Sequence, residues 1–127
     1  MKDLHSNIGV VQAVAPAVLT ATNTSAAIDL QGFNSAEVVI NTGAIGSSGN
    51  FTPSLTECDT SGGTYTDVAA KDLLGSFAAA LEASKVYKVG YKGTKRFIKT
   101  VLTLNSGTSI AAGVVVIKGH PGDAPVA

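Results

Sequence analysis

Clusters of Ser, Thr, Gly and Asn recur along this chain and separate short runs of mostly apolar or alternating residues. Runs of this kind, bounded by turn residues, are typical of β-strands. Their close spacing leaves little room for the crossover helices that a parallel sheet needs. The sequence therefore predicts an all-β fold, an antiparallel β-sandwich or jelly-roll-like domain with at most one or two short helical turns. The clearest turns are predicted at 31–32, 61–63, 92–94 and 105–107.

The last third of the chain carries the strongest β signal. The run 110–118 (IAAGVVVIK) is apolar on both faces, which predicts a central strand. The run 95–104 alternates, and because successive side chains point to opposite faces, Ile98, Thr100 and Leu102 are expected to share one face. The run 85–91 likewise puts Tyr87, Val89 and Tyr91 together. The remaining predicted strands are 8–15, 18–22, 24–30, 36–42, 51–59 and 64–68.

Three local signals set the limits of these strands. Pro16 is predicted to end the first strand. Pro53 lacks an amide hydrogen, which favours an edge position or a late start for the strand 51–59. The glycines of 43–50 (GAIGSSGN) predict a flexible connection.

Residues 70–84 are the only helix-like stretch. Gly75 and Ser76 interrupt it, so a helical turn near 71–74 is predicted, with one helix through the whole stretch as the alternative.

The chain has 127 residues and no obvious linker, so one domain over 1–127 is predicted, with an extended N-terminal arm (about 1–7) and a C-terminal tail (about 119–127). Hydrophobic residues make up 45% of the chain, which is enough for a real core. Charged residues make up only 14%, against about 25% in ordinary globular domains. This low charge suits a chain that hides surface in an assembly, and equally a β-rich domain with a Ser/Thr surface.

The charges are unevenly distributed although the formal net charge is zero. Residues 1–84 hold two lysines and eight carboxylates, whereas residues 85–127 hold seven basic residues and one carboxylate. Such halves can complement each other within one fold or head to tail between subunits. Because folding mixes the halves in space, the intramolecular pairing is favoured.

No residue pattern indicates a catalytic or metal centre. Cys58 is the single cysteine, and the two histidines, His5 and His120, lie near the two ends of the chain. Glu57 and Asp59 stand at i and i+2 beside a turn, where a solvated strand end is far commoner than an acid–base pair. No zinc-type spacing, nucleophile elbow or phosphate-binding loop occurs. We therefore predict no enzyme activity and no catalytic residue, cofactor-binding residue or metal ligand.

One basic pattern, which is interleaved with Tyr87, Tyr91 and Phe97, could bind single-stranded nucleic acid through phosphate contacts and base stacking. The favoured alternative is a solvated hairpin, or a patch that meets an acidic protein surface, because Tyr87 and Tyr91 fit a core face and the net charge is neutral. A sugar-binding groove is also conceivable, but the chain contains no Trp to stack on a sugar. The basic residues concerned are Lys85, Lys88, Lys92, Lys95, Arg96 and Lys99.

A membrane or secretory role is not expected. No run reaches the roughly 18 apolar residues of a membrane helix. The apolar run 8–19 faintly imitates a signal peptide, but Asp3 and His5 precede it, Gln12 interrupts it and Pro16 bends it.

Several segments resemble small proteins from the head-gene clusters of tailed bacteriophages and prophages. They are MKDLHSNIGVVQAVAPA (1–17), TECDTSGGTYTDV (56–68), DLLG (72–75), VGYKGTKRFIKTVLT (89–103) and GHPGDAPV (119–126). The resemblance covers most of the chain, although none of these motifs is a chemical signature.

The resemblance implies a virion structural protein, specifically a capsid decoration (cement) protein that binds the outside of the major capsid shell and stabilises it. The implied partners are the major capsid protein and further copies of the chain, with a trimer favoured. Neither nucleic acid nor a membrane is expected as a partner. The implied location is the capsid surface of the virion, after synthesis in the host cytoplasm. The alternatives are a neck or tail component of the virion, or a carbohydrate-binding β-sandwich module. The arm and the tail are expected to become ordered on contact with capsid or sister subunits.

Overall fold

The computed structural model describes residues 3–122, and these residues form β-strands joined by turns and loops. Two short 3-10 turns, His5–Asn7 and Ala70–Asp72, are the helical elements within this range. The strands are β1 (Gly9–Leu19), β2 (Asn23–Thr24), β3 (Ile28–Asp29), β4 (Phe33–Gly46), β5 (Asn50–Cys58), β6 (Thr66–Asp67), β7 (Leu73–Leu74), β8 (Val86–Tyr91), β9 (Phe97–Ser106) and β10 (Ser109–Pro121).

The strands pair in two antiparallel sheets that form a sandwich, which confirms the predicted fold class. Sheet A has the spatial order β1-β10-β4-β8-β7, and sheet B has the order β2-β9-β5-β6, with β3 also paired to β9. The predicted central position of the 110–118 strand is confirmed, because β10 pairs with β1 on one side and with β4 on the other.

The core lies between the two sheets and follows the two-residue period of their strands. On β10 the even-numbered residues Ile110, Ala112, Val114 and Val116 are buried. On β9 the buried residues are Ile98, Thr100 and Leu102, as the alternation predicts. Each fully buried aliphatic side chain contributes on the order of 1.5–3 kcal/mol. The other large side chains that are fully enclosed are Phe51, Ile40 and Val38.

Pro16 does not end the first strand, contrary to the prediction. β1 continues to Leu19, with register shifts between Gln12 and Val14 and between Val14 and Ala17. The strand tolerates proline because β1 lies at the edge of sheet A, where an amide hydrogen can be absent without breaking a ladder. The strand predicted at 18–22 is therefore not separate, because its first two residues, 18–19, belong to β1.

The predicted flexible connection at 43–50 is wrong for its first half. β4 runs on to Gly46, which pairs with Ser109 of β10, and only residues 47–49 form the turn. Pairing with the long central strand outweighs the entropy that the glycines lose. At the same end of the sandwich Gly107 has a φ of +77° and lies against the backbone of Ser48, so only glycine fits there.

The helix alternative for residues 70–84 is wrong. A 3-10 turn at Ala70–Asp72 leads into β7, and Gly75, with a φ of +88°, ends that strand. The remaining residues run without regular structure along the free edge of β5. There the Leu81 amide donates to the Phe51 carbonyl (2.9 Å), and the Thr52 hydroxyl donates to the Ala79 carbonyl (2.7 Å).

The edge position predicted for Pro53 is confirmed. β6 pairs only with Thr56 and Glu57 of β5, so Pro53 has a ladder partner on one side only, where it pairs with Leu102 of β9. The segment described above bonds to the other side of β5 at Phe51 and Thr52, and Pro53 is buried on the core face that it shares with Phe51 and Leu55.

The two ends of the described chain lie close together, since Gly9 pairs with Lys118. Within the predicted arm, Asp3 and Leu4 hold the 3-10 turn by accepting bonds from the amides of Ser6 and Asn7. Within the predicted tail, residues 119–121 belong to β10. Residues 1–2 and 123–127 lie outside the described part of the chain.

Candidate interaction surface

Sheet A turns one face to the core and one face outwards. Residues that are paired across antiparallel strands place their side chains on the same face, so the register defines the outward set. We call this set the outer face of sheet A. Its central members are Val10, Gln12, Pro16 and Val18 of β1, Ala111, Gly113, Val115 and Ile117 of β10, Glu37, Val39, Asn41 and Gly43 of β4, Val86, Lys88 and Gly90 of β8, and Leu74 of β7.

Large apolar side chains are concentrated on this outer face. Among the described residues, five large hydrophobic side chains are exposed, and four of them belong to it: Val10, Val18, Leu74 and Val86, which are 58% to 69% exposed. The fifth is Leu4, in the segment before β1. Single exposed apolar residues are ordinary, but a contiguous patch of them marks an interaction site or an aggregation hazard.

A shallow groove of about 650 Å³ crosses the middle of the outer face. Its floor consists of small residues, Gly43, Ala111 and Gly113, and valines form much of its rim. The ring of Pro16 lies over Gly113, where an added Cβ would be only 3.1 Å from the Pro16 Cγ atom. The groove therefore exists because glycine and alanine occupy positions where larger side chains would fill it.

The edge of β1 is less suited to recognition than the outer face. An open edge invites another strand, and natural proteins block such edges with proline and with irregular register. β1 has both, since Pro16 and two register shifts lie between Gln12 and Ala17. The other sheet edges are formed by two-residue strands. The apolar outer face, and not an open edge, is thus the candidate interaction surface of sheet A.

The predicted basic and aromatic pattern does not form one continuous surface. Arg96 is held by Asp29, with Nε–Oδ1 and Nη2–Oδ2 distances of 2.9 and 2.8 Å. Lys95 lies 3.0 Å from the Asp59 carboxylate, and the Lys99 ammonium lies 4.3 Å from the centre of the Tyr65 ring. The acidic and basic parts of the chain thus pair within the fold at Asp29–Arg96 and at Asp59–Lys95.

The tyrosines of this pattern turn towards the core. Tyr91 is buried, and its hydroxyl donates to the Glu57 carboxylate at 2.7 Å. Burial, together with this hydrogen bond, raises the pKa of Tyr91 far above its ordinary value. The Tyr87 hydroxyl accepts a hydrogen bond from the Glu82 amide. These rings are not presented to solvent as a stacking platform for bases.

The other candidate side chains are placed apart. Glu57 accepts a hydrogen bond from Tyr91 at the end of β8, and Asp59 binds Lys95 in the loop between β8 and β9. The Cys58 sulfur is near the Thr60 hydroxyl, at 3.9 Å. His5 is exposed in the first 3-10 turn. Over residues 3–122, no cluster of three or more His, Cys, Asp or Glu side chains could hold a metal ion.

A second concavity, of about 460 Å³, lies between residues 30–36 and the loop before β9. Beside it the Ser35 hydroxyl and the His120 Nδ1 atom are 2.8 Å apart, and the Asn34 amide donates to the His120 carbonyl. These bonds hold the end of β10, where His120 has a φ of +49°, against the start of β4. Sequence analysis could not pair residues so distant along the chain.

In the described part of the chain, no helix is both long and apolar enough to cross a membrane.

The comparisons with known proteins give likeness of fold alone. No protein-family model matches the sequence, and no relative is found among curated proteins. The crystal structure of the SPBc2 prophage-derived protein YomS aligns over 88% of this chain and 92% of its own, with a TM-score of 0.54 and 14% identity. The fold of this chain is thus similar to that of YomS over nearly the full length of both.

A viral protein shows a comparable likeness over part of its length. The infectious bursal disease virus VP2 subviral particle structure aligns over 93% of this chain, with a TM-score of 0.51 and 11% identity. This chain spans about a third (34%) of that VP2 chain. The sandwich is therefore similar to one portion of a larger viral protein.

Proposed function

We propose that this protein is a structural component of a virion, specifically a decoration protein that binds the outside of a major capsid shell and stabilises it. The observation that carries the proposal is the similarity of fold to a prophage-derived protein across almost the whole of both chains. The partial similarity to VP2 of a subviral particle supports the same class.

The chemistry of the molecule supports an assembly role. A decoration protein needs a stable β core, few charges and an apolar surface that a neighbour can cover. This chain has 14% charged residues, and its outer face of sheet A leaves four large apolar side chains exposed. Covering apolar surface provides about 25 cal/mol for each Å² removed from water, which favours association with a neighbour over a free monomer.

The proposal is tested by mixing the purified protein with undecorated shells assembled from the major capsid protein of the same genome. We expect saturable co-sedimentation, with a copy number that matches symmetry-related positions of the shell. We also expect shells with bound protein to dissociate at higher temperature or denaturant concentration than bare shells. An excess of unlabelled protein must compete with labelled protein for these positions.

A folded protein that does not bind the shells would overturn the decoration role. Isolated tails and necks, incubated in the same way, provide the comparison. Saturable binding to these and not to shells would assign the protein to the neck or tail instead. Binding to both with no saturation would indicate non-specific adhesion through the apolar face and would also overturn the proposal.

A further inference from the structure

The outer face of sheet A has the composition of a surface that is covered in the working assembly. Four of the five exposed large hydrophobic side chains in the described chain lie on it, around a groove floored by Gly43, Ala111 and Gly113. The face therefore offers both projecting valines and a depression that can receive them. A surface with both features can pack against a copy of itself.

The charges of this face also fit a second copy. Glu37 and Lys88 are its two charged residues, and they lie diagonally on the adjacent strands β4 and β8. Lys88 pairs with Val39, which is two residues after Glu37 along β4. The face is thus electrically balanced. A phosphate-bearing surface would call for an excess of cations, whereas two copies of a balanced face can associate without net repulsion.

The size of the face reaches the lower limit for a specific contact. Along the central strand β10 its four outward residues, from Ala111 to Ile117, occupy about 27 Å at roughly 6.8 Å each, which is twice the rise per residue. From β1 to β7 it crosses four strand spacings, about 19 Å in all. Each copy would cover an area on the order of 500 Å², and two copies together reach the roughly 1,000 Å² of a specific interface.

We propose that the outer faces of sheet A of two copies pack against each other about a two-fold axis. A contact between identical surfaces is isologous, so it closes as a dimer. This inference rests on the proposed function and deepens it, since the dimer would be the unit that decorates the shell. It differs from the three-fold arrangement that the sequence resemblance implies.

The first test compares the wild-type protein with Val86→Lys by sedimentation velocity over a range of concentrations. We expect the wild type to be dimeric and Val86→Lys to dissociate at least about tenfold more readily, since it buries an unpaired charge in the contact. Thr103→Lys is the matched control, because it adds the same charge to the outward side of β9 in sheet B. Circular dichroism must show that all three proteins are folded.

The second test uses the balanced charges of the face. Glu37→Lys leaves two positive charges on it, and Lys88→Glu leaves two negative charges. We expect each variant alone to be mainly monomeric because like charges then meet across the two-fold axis. An equimolar mixture should form a heterodimer, since opposite charges then meet. A contact that does not join the two outer faces would not give this rescue.

The outcomes separate this inference from the decoration role. A monomeric wild type, an oligomer that Val86→Lys leaves unchanged, or a mixture that fails to associate would each overturn the two-fold contact. If a monomeric protein still binds capsid shells saturably, the decoration role stands without the dimer. If a Val86-dependent dimer fails to bind shells, the dimer stands and the decoration role falls.

Discussion

The ion pair between Asp29 and Arg96 joins β3, in the acidic part of the chain, to the residue just before β9, in the basic part. The guanidinium donates two hydrogen bonds to the carboxylate, and the Gln31 amide donates a third. The Arg96 hydrogen bonds chiefly account for the pKa of Asp29 being lowered from 3.8 to about 2. Both side chains are nearly half exposed, so solvent screens much of this interaction.

We expect Asp29→Asn to lower the free energy of unfolding at pH 7 by about 0.5–1 kcal/mol. Because the pKa of Asp29 is lower in the folded state, the ionised carboxylate stabilises the protein fully above pH 3.8. That contribution is lost as the pH falls towards 2. Urea unfolding of both proteins at pH 7, 3 and 2 measures it, with Asp67→Asn, at an exposed site in β6, as the control. An undiminished difference at pH 2 would contradict the assignment.

The segment from Gly75 to Ser84 shows how tertiary structure overrides local propensity. Its four alanines and Leu81 favour a helix, yet its backbone groups bond to neighbouring strands instead of to each other. The Ser84 amide donates to the Gly43 carbonyl, and the Thr42 hydroxyl donates to the Glu82 carbonyl. The segment covers the free edge of β5 and places Leu81 in the core.

We expect Leu81→Ala to lower the free energy of unfolding by about 2–4 kcal/mol, because the side chain is 3% exposed and its loss leaves a cavity in the core. Leu74→Ala is the matched control, since Leu74 is 58% exposed. At a concentration where the protein is monomeric, that control should change the stability by less than about 0.5 kcal/mol. Denaturant unfolding of the wild type and the two variants measures the difference. Equal losses of unfolding free energy in the two variants would contradict a core role for Leu81.

The same contrast explains which elements could be predicted from sequence. The alternation of β9 and the apolar run of β10 lie in the chain itself, so their strands and the buried face of β9 were predictable. The extension of β1 beyond Pro16 depends on its edge position, which only pairing with β10 defines. The outer face depends on register as well, since it brings Val10 and Val18 of β1 together with Val86 of β8. The one sign of the outer face in the sequence itself was that the run 110–118 of β10 is apolar on both faces.

At the scale of the whole molecule, the chain passes back and forth between the two sheets. β1 belongs to sheet A, β2 and β3 to sheet B, β4 to sheet A, and the alternation continues to β10 in sheet A. The last strand lies between β1 and β4, and β9 lies between β5 and the short strands β2 and β3. Neither sheet is built from one continuous part of the sequence, so neither can form before the chain has nearly completed its path.

We therefore expect the two sheets to unfold together in one cooperative transition. Hydrogen exchange under mildly denaturing conditions tests this, because residue-specific amide exchange reports the opening of each sheet separately. The amides of Val114 and Val116 in sheet A and those of Ile98 and Leu102 in sheet B should exchange with the same opening free energy and the same dependence on denaturant. The core side chains of the two sheets are packed against each other, so opening of one sheet alone would expose the apolar face of the other to water. A lower opening free energy for sheet B than for sheet A would show that this shared core does not couple them.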